Sequence, residues 1–449
     1  MRARVLATQD LYLHIAVGRW ILEHRQVPTR GILSGSMADA PWLAHEWLAS
    51  LGYAALYDHL GWNGVVVVAA LVLAGAIAIV AYEVARSGGP IPALTCTVLA
   101  WGLCLVHMQA RPHLLTLPLF ALWIAALIRA RRTASAPPLA LALVMILWAN
   151  LHGGFLIAPA FTALFAAEAI YDADSLRQAW DAARRWGLFL AATLAAALLT
   201  PHGVDGLLFP IRLTGMTMAL AGISEWEPSS LANNPALVIA LLLLLFVALT
   251  LGLRATVTRV AMVLLLVYMA FDHFRYTELL GLAAPLLLQD ALAEPRFAGI
   301  GAKALGWGRP LRPVQTAVAA SVLGIVTALS LAFAVRNDSH GVDRFTPAAA
   351  VDWIEAQRLE GLGMNSYNFG GYLIFRGIAP FIDGRIELYG EAFVVRYFAL
   401  GQFPALLDRY AIAWTIFEPQ NPRNIILDQL AGWKQVYADG QAVIHVRRR

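Results

Sequence analysis

The sequence contains little charge and little cysteine. Charged residues make up 14% of the 449 residues and hydrophobic residues make up 59%, whereas about a quarter of a soluble domain is charged. Together with a mean hydropathy of +0.63, this composition excludes a soluble globular domain and predicts a polytopic membrane protein. The two cysteines, Cys96 and Cys104, lie too far apart along one apolar segment to form a disulfide.

Other common signals are missing as well. The N-terminal MRARVLAT is followed by polar Gln9 and Asp10 rather than by an apolar core, so no signal peptide is predicted. The sequence has no internal repeat and no low-complexity tract. The formal net charge is +4, but the arginines are scattered between apolar runs. That distribution is typical of membrane topology, and it predicts no nucleic acid as a partner.

Long apolar runs occupy the middle of the chain. They predict about ten membrane spans, although several runs are shorter than the roughly 20 residues that cross a bilayer. The predicted spans cover residues 63–85, 91–107, 114–130, 138–150, 155–171, 187–200, 235–253, 256–271, 277–291 and 313–335. The sequence therefore predicts an all-α polytopic membrane bundle over residues 63–335.

The distribution of basic residues predicts the orientation of this bundle. Arginine and lysine concentrate in alternate connections, while the other connections hold only Arg111, Arg212 and Arg275. By the positive-inside rule, the basic set of connections is cytoplasmic. Residues 1–62 then form a first outer loop with two juxtamembrane helices. Because nothing evident would translocate this loop, we expect one more span upstream of Met1.

The last predicted span delivers residues 336–449 to the outer side, where the pattern changes. Helix-like PAAAVDWIEAQ and NPRNIILDQLAGW are interspersed with strand-like GGYLIF, AIAWTIFE and QAVIHVRR. This mixture predicts a small extracytoplasmic α/β domain. Its IDGR turn, which includes Asp383 and Arg385, is interpreted as domain architecture within reach of the acceptor.

Asp10 is the leading catalytic candidate. Asp10 and His14 are predicted to lie one turn apart on one face of a short helix. A carboxylate there can accept a proton from an acceptor hydroxyl if its surroundings raise its pKa or orient it. The structural alternative is an N-cap for a helix that begins at Leu11. Glu46, on a second amphipathic helix over residues 42–60, is the natural second carboxylate.

Polar residues in the other outer loops are candidate substrate ligands. Arg111 and Arg275 could pair bidentately with the phosphate of a lipid-linked donor, or could extend to lipid headgroups. His113 follows a proline, so helix capping competes with substrate binding. Asn150 and His152 lie beside a glycine pair, which favours either close approach of a ligand or tight helix packing.

The largest loop between the spans carries Glu225 and Glu227 on either side of Trp226. The carboxylates could bind sugar hydroxyls or a divalent cation, and the indole could stack on a sugar ring. The alternative is a solvated loop with an interfacial tryptophan. A divalent cation is thus a candidate cofactor, although hard cations need several oxygen ligands and no dense acidic run occurs.

These residues carry a resemblance to a known group of enzymes. DLYLHIAVGRWILEHRQVPT followed by PWLAHEWLASLGYAALYDHLG resembles the first outer loop of the glycosyltransferase C superfold. That superfold includes oligosaccharyltransferases, protein O-mannosyltransferases and lipid A aminoarabinose transferases. The later RPHLLTLPL, LWANLHGGFLIAP and NFGGYLIFRGIAPFIDGRIELYG resemble an uncharacterised bacterial branch of such proteins.

The resemblance implies a polyprenyl-phosphate-linked sugar donor and an inverting transfer, with Asp10 as the base or metal-positioning residue. One departure is that Gln9 stands where these enzymes commonly carry the first acid of a pair. The predicted function is therefore sugar transfer to a glycan or lipid acceptor at the outer face of a bacterial inner membrane.

Two other classes of function are alternatives: a polytopic transporter or flippase, and a non-catalytic partner in polysaccharide assembly. Transporters place ionisable residues near the bilayer midplane. Glu83, Glu168, Glu278 and Asp290 all lie towards the ends of predicted spans, which argues against ion coupling.

Overall fold

The computed structural model describes residues 5–105, 108–221, 223–298 and 345–448. The chain is mostly helical, with one small sheet near the C-terminus. The predicted span at residues 313–335 lies outside the described residues. Each of the other predicted spans coincides with one helix or with two successive helices.

The first part of the described chain is a helical bundle. Its helices are α1 (Gln9–His24), α2 (Trp47–Gly88), α3 (Pro90–Leu105), α4 (Pro112–Arg132), α5 (Ala142–Leu151), α6 (Ile157–Tyr171), α7 (Leu176–Ala197), α8 (Gly203–Thr214), α9 (Thr217–Leu220), α10 (Pro235–Leu251), α11 (Val257–Asp272), α12 (Thr277–Leu287), α13 (Gln289–Leu292) and α14 (Pro295–Ala298). Among the described residues, three helices are long and apolar enough to cross a membrane: α2, α4, and α6 together with the turn that precedes it. Several of the shorter helices, including α3 and α10, are equally apolar.

Helix α1 forms where it was predicted, but its cap differs from the prediction. The helix begins at Gln9, and the Thr8 hydroxyl accepts a hydrogen bond from the Asp10 backbone N–H at 3.3 Å. Thr8 is therefore the N-cap, and the interpretation of Asp10 as the cap of a helix beginning at Leu11 was wrong. Asp10 lies in the first turn, and its side chain is left available for the site.

Helix α2 joins the predicted interfacial helix to the first predicted span. It starts at Trp47, later than the predicted 42–60 segment, and it is interrupted at Gly61, where φ is 62° and ψ is −165°. A positive φ is accessible to glycine without steric cost. The chain therefore changes direction at the predicted boundary between residues 1–62 and 63–335.

Large apolar side chains fill the bundle. Trp123, Trp148 and Trp186 are fully buried, and the Trp123 indole N–H donates to the Thr162 hydroxyl at 3.1 Å. A buried indole N–H usually finds a hydrogen-bond partner. The Trp123 bond therefore connects α4 to α6 inside the bundle.

One end of α4 is held by ion pairs. Its last turn carries three arginines, and each pairs with a carboxylate on a different helix. The pairs are Arg129 with Glu83 of α2, Arg131 with Glu168 of α6 at 3.3 Å, and Arg132 with Asp290 of α13 at 2.5 Å. Glu168 also accepts from Arg259 of α11 at 2.7 Å. These acids are occupied by arginines, so they connect helices at this end of the bundle.

The terminal domain is a sheet surrounded by short helices. Its helices are α15 (Ala348–Gln357), α16 (Gly370–Phe375), α17 (Ile386–Tyr389), α18 (Glu391–Phe398), α19 (Phe403–Arg409) and α20 (Pro422–Gln429), and its strands are β1 (Gly363–Asn365), β2 (Trp414–Phe417), β3 (Trp433–Ala438) and β4 (Val443–Arg447). The strand order is β1-β2-β4-β3, with β1 parallel to β2 and the other pairs antiparallel.

The predicted helices and two of the predicted strands of this domain are confirmed, but the strand predicted over GGYLIF was wrong. Those residues form α16, which packs against α1. A Cβ added at Gly371 would lie 2.0 Å from the Gln9 carbonyl oxygen, so only glycine permits this approach. In the same contact between α1 and α16, the Tyr12 ring packs edge-on against the Tyr372 ring. Helix α1 is consequently enclosed between the bundle and the terminal domain.

Candidate active site

A cavity of about 850 Å³ lies where α1, the N-terminus of α4 and the terminal domain meet. It is lined by both apolar and charged side chains. Among them are all of the predicted site residues except Asn150: Asp10, His14, Glu46, Arg111, His113, His152, Glu225, Trp226 and Arg275. The loops that were predicted to lie on the outer side therefore converge on one chamber.

Asp10 is fixed on the cavity wall by an arginine. Arg111 Nε lies 3.0 Å from Asp10 Oδ2, and Arg111 Nη1 lies 2.5 Å from Glu225 Oε2. The Arg111 guanidinium also donates to the Thr8 hydroxyl at 2.8 Å. Arg111 thus connects two carboxylates that lie far apart in the sequence, and the N-cap of α1 takes part in the same network.

Local sequence explains where Arg111 stands. Arg111 is the N-cap residue of α4, and Pro112 occupies the first helical position, where its fixed φ suits the helix. The Tyr53 hydroxyl of α2 donates to the Arg111 carbonyl at 2.9 Å. The arginine backbone is held by one helix start and by a neighbouring helix, which orients its side chain towards Asp10.

The terminal domain completes the surroundings of Asp10. Gly384, in the IDGR turn, lies so close that a Cβ there would be 2.6 Å from Asp10 Oδ1. Arg385 of the same turn and Glu387 of the following helix α17 also line the cavity. Asp383 holds Arg385 by two hydrogen bonds, of 2.8 and 2.7 Å. The turn that was interpreted as domain architecture is therefore both a rigid structural unit and part of the cavity wall.

Glu46 forms a second charged centre in the cavity. Its Oε2 lies 3.5 Å from His14 Nε2, and its Oε1 lies 3.5 Å from His45 Nε2 and 3.6 Å from His152 Nε2. Helix α1 contributes His14, and the residue before Glu46 contributes His45. His152 comes from the turn after α5, so three separate segments bring imidazoles to one carboxylate.

Burial and charge separate the pKa values of these groups. Burial raises the pKa of Asp10, although Arg111 opposes the rise. Burial also acts to raise the pKa of Glu46, but the histidines, led by His45, outweigh it and hold that pKa well below its usual range. Burial lowers the pKa of His152 to about 3. At neutral pH the cavity therefore holds an ionised Glu46 beside a neutral His152.

Trp226 and Arg275 form a stacked pair on the cavity wall. The Arg275 guanidinium carbon lies 4.6 Å from the centre of the Trp226 ring, and His273 packs edge-on against the same ring. Trp226 is mostly buried. The indole thus serves first as a platform for Arg275, which presents a cation to the cavity.

The remaining predicted site residues, Asn150 and His113, make polar contacts with neighbouring parts of the bundle. Asn150 lies behind the cavity, where its side chain accepts from Trp47 Nε1 at 2.8 Å and donates to the Leu199 carbonyl at 3.0 Å. His113 lines the cavity and lies 3.7 Å from Glu278. Asn150 therefore anchors helix ends, whereas His113 combines a polar contact with a place on the wall.

The donor atoms do not assemble a metal site. Within the described residues, no group of three or more histidine, cysteine, aspartate or glutamate side chains has an arrangement that could hold a metal ion. Glu225 is engaged by Arg111, and Glu46 is surrounded by histidines at ion-pair distances. No catalytic step is accordingly assigned to a metal.

Several cavity residues were not identified from sequence. Tyr367 and Glu387 reach the chamber because the terminal domain folds over α1, and so does Arg385, whose turn was expected within reach of the acceptor. Ser50 contacts His14 at 3.0 Å from within α2. The contact between His45 and Glu46 is the one contact here that the sequence signals locally, because the two residues are adjacent.

Solved structures share this architecture. ArnT from Cupriavidus metallidurans bound to undecaprenyl phosphate is similar with a TM-score of 0.52 and 14% identity, over 98% of this chain and 94% of that chain. The apo oligosaccharyltransferase of Archaeoglobus fulgidus is similar with a TM-score of 0.50 and 10% identity, over 92% of this chain. This chain spans 66% of the archaeal protein, slightly less than two thirds of it.

No protein-family model and no curated protein sequence matches the chain. Structural similarity at identities this low shows the fold but not the activity, which depends on the residues of the site. The apolar helices, the terminal sheet and both structural similarities agree with the resemblance in the first outer loop. The chain is a multi-pass membrane protein with the glycosyltransferase C fold.

Proposed function

We propose that this protein transfers a sugar from a polyprenyl-phosphate-linked donor to a glycan or lipid acceptor. The observation that carries the proposal is Asp10, held by Arg111 on the wall of a mixed polar and apolar cavity. Undecaprenyl phosphate bound to the similar ArnT supports a polyprenyl phosphate as the lipid. The reaction takes place at the outer face of a bacterial inner membrane, among about ten spans, with the terminal domain extracytoplasmic.

In the proposed reaction, the acceptor hydroxyl oxygen attacks the anomeric carbon of the donor sugar. The bond from that carbon to the phosphate oxygen breaks, and the electron pair leaves with the polyprenyl phosphate. Asp10 accepts the hydroxyl proton, which its raised pKa favours. A single displacement of this kind inverts the configuration at the anomeric carbon.

The two arginines take different parts in this proposal. Arg111 is already paired with Asp10 and Glu225, so its part is to orient the base. Arg275 stacks on Trp226 and presents its charge to the cavity. We assign Arg275 to the developing charge on the departing phosphate, where a guanidinium is well suited.

The contacts of Glu83 and Glu168 give no support to ion-coupled transport. Glu83 and Glu168 are buried, but each is paired with arginines from neighbouring helices. A coupling site needs an ionisable group that is free to exchange its partner near the midplane.

The test is Asp10→Asn in the full chain reconstituted in proteoliposomes with undecaprenyl-phosphate-linked hexoses. We expect release of undecaprenyl phosphate to fall by about 1000-fold, in the middle of the range for loss of a general base. Asp205→Asn is the matched control, because Asp205 is exposed and pairs only with Arg212 at 3.0 Å among the described residues. Full transfer by a correctly inserted Asp10→Asn protein would remove Asp10 from the mechanism.

A further inference from the structure

Ser50 lines the cavity beside His14 and Glu46. It lies one turn into α2 and is buried. Its Oγ is 3.1 Å from the Glu46 backbone carbonyl and 3.0 Å from His14 Nδ1. A serine hydroxyl has one hydrogen to donate, so it cannot donate to both partners.

The helix decides which partner receives that hydrogen. A serine inside a helix commonly donates to the carbonyl four residues earlier, and here that carbonyl belongs to Glu46. The Ser50 oxygen must then accept from His14, which places the imidazole proton on Nδ1. In a neutral ring, His14 Nε2 is left with a bare lone pair.

The neighbouring histidine has the opposite tautomer. His152 Nδ1 accepts the Gly154 backbone N–H at 3.0 Å, so its proton is on Nε2, which points at Glu46 Oε1 from 3.6 Å. His45 Nε2 approaches the same Oε1. Oε1 of Glu46 therefore faces the His152 N–H, while Oε2 faces the unprotonated Nε2 of His14 across 3.5 Å.

We propose that His14 Nε2 and Glu46 Oε2 form a pair of hydrogen-bond acceptors for a donor group on the acceptor sugar, and that Ser50 is the positioning residue that keeps this pair in its accepting form. Two lone pairs that face each other at 3.5 Å repel unless a hydrogen lies between them. A sugar hydroxyl or a sugar amine supplies that hydrogen. Both His14 and Glu46 line the cavity, so such a group can reach them.

The charges around His14 are compatible with a neutral ring. Burial lowers its pKa, while Glu46 and Asp10 oppose the change and His45 and Arg111 add to it. His14 is therefore neutral at pH 7.5, and only its tautomer is in question. The identity of the ligand as an acceptor sugar rests on the proposed function, whereas the tautomer does not.

The test is nitrogen NMR of the full chain in nanodiscs with labelled histidine, in which His14 is assigned by comparison with His14→Gln. We expect Nδ1–H and an unprotonated Nε2 in the unmodified protein. Ser50→Ala should change the tautomer ratio by about fivefold towards Nε2–H, the effect of one ordinary hydrogen bond. Ser50→Thr should restore the original tautomer.

Ser87→Ala is the matched control, because Ser87 lies in the same helix and also donates to the carbonyl four residues earlier. It should leave His14 unchanged. Nε2–H in the unmodified protein, or no response to Ser50→Ala, would overturn the assignment of Ser50. A change of the Nε2 resonance on adding EDTA would also overturn the proposal, because a metal would then occupy the pair.

D-glucose and D-glucosamine are the ligand probes. A shift of His14 Nε2 with both sugars supports a hydroxyl donor, and a shift with glucosamine alone supports an amine. No shift with either sugar would contradict the acceptor pair. A protein with the expected tautomer and no transfer activity would retain the role of Ser50 and refute only the proposed function.

Discussion

The two ends of α4 place charged residues in different surroundings. At its last turn, Arg129, Arg131 and Arg132 each meet a carboxylate of another helix, and the pairs pack between helices. At its start, Arg111 meets Asp10 and Glu225 beside a cavity of about 850 Å³. Ion pairs between helices alone therefore do not identify a site, and the empty volume beside Asp10 and Glu225 distinguishes the two ends.

The partners differ in kind as well. At the last turn of α4 the acids are matched by arginines, which stay charged at every physiological pH. At the cavity, Glu46 is matched by His14, His45 and His152, whose charge can change. The arginine–carboxylate pairs are suited to connecting helices, and the histidines around Glu46 are suited to proton transfer and ligand binding. The following substitutions test that distinction.

The largest effect on transfer after that of Asp10→Asn is expected for Gly384→Ala. A Cβ at 2.6 Å from Asp10 Oδ1 would force the carboxylate or the turn to move. Misplacement of a reacting group by about 1 Å costs on the order of 100-fold in rate. The measurement is the rate of undecaprenyl phosphate release, with Gly401→Ala, which meets no atom within 4 Å, as control. Equal rates for both variants would show that the turn does not constrain Asp10.

A smaller effect is expected for Arg111→Gln. Burial raises the pKa of Asp10, and Arg111 opposes that rise. Without Arg111 the pKa is higher, so the carboxylate becomes protonated at a higher pH and the acid limb of the pH profile moves upward. We expect about a tenfold loss of kcat/KM at pH 6. Arg212→Gln, at an exposed pair, should leave the profile in place, and an unmoved acid limb in Arg111→Gln would rule out Asp10 as the titrating base.

Glu168→Gln should leave transfer per folded molecule unchanged but destabilise the bundle. The substitution leaves the buried Arg259 without its charge partner, which costs about 3 kcal/mol for an uncompensated buried charge. Thermal unfolding in detergent measures this loss, and Asp172→Asn removes a more exposed partner of Arg131 as comparison. A loss of transfer at full stability would place this end of α4 in the mechanism.

The smallest effect is expected for Asp290→Asn. The Asp290 side chain is 64% exposed, and exposed ion pairs contribute about 0–1 kcal/mol. Both transfer and the unfolding temperature should be close to those of the unmodified protein. A shift as large as that of Glu168→Gln would mean that the three pairs at this end of α4 act as one unit.

Much of the site could be predicted because its residues stand out locally. Asp10, His14 and Glu46 are polar residues beside apolar helices, and a period of 3.6 residues places Asp10 and His14 together on α1. Arg111 lies between apolar runs and directly before a proline. Each of these signals requires only a few neighbouring residues.

The rest depends on contacts between distant parts of the chain. Gly384 and Arg385 enter the cavity because the terminal domain packs on α1, and no local pattern encodes that docking. GGYLIF was predicted as a strand because a short apolar run has no clear period. Of its two glycines, Gly371 instead allows the close approach of α16 to Gln9, and Gly370 allows the close approach to Ile382 and Asp383. The short strand β1 and the partly exposed strand β3 were not predicted, because their residues also show no clear hydrophobic period.

The contact between Gly384 and Asp10 also has a consequence for biosynthesis. Asp10 precedes the other helices of the bundle in the chain, and the turn that closes on it follows them. The chamber is therefore incomplete until the terminal domain has been made and has folded over α1. A chain that stops before the IDGR turn would lack an assembled chamber even if its bundle helices had inserted.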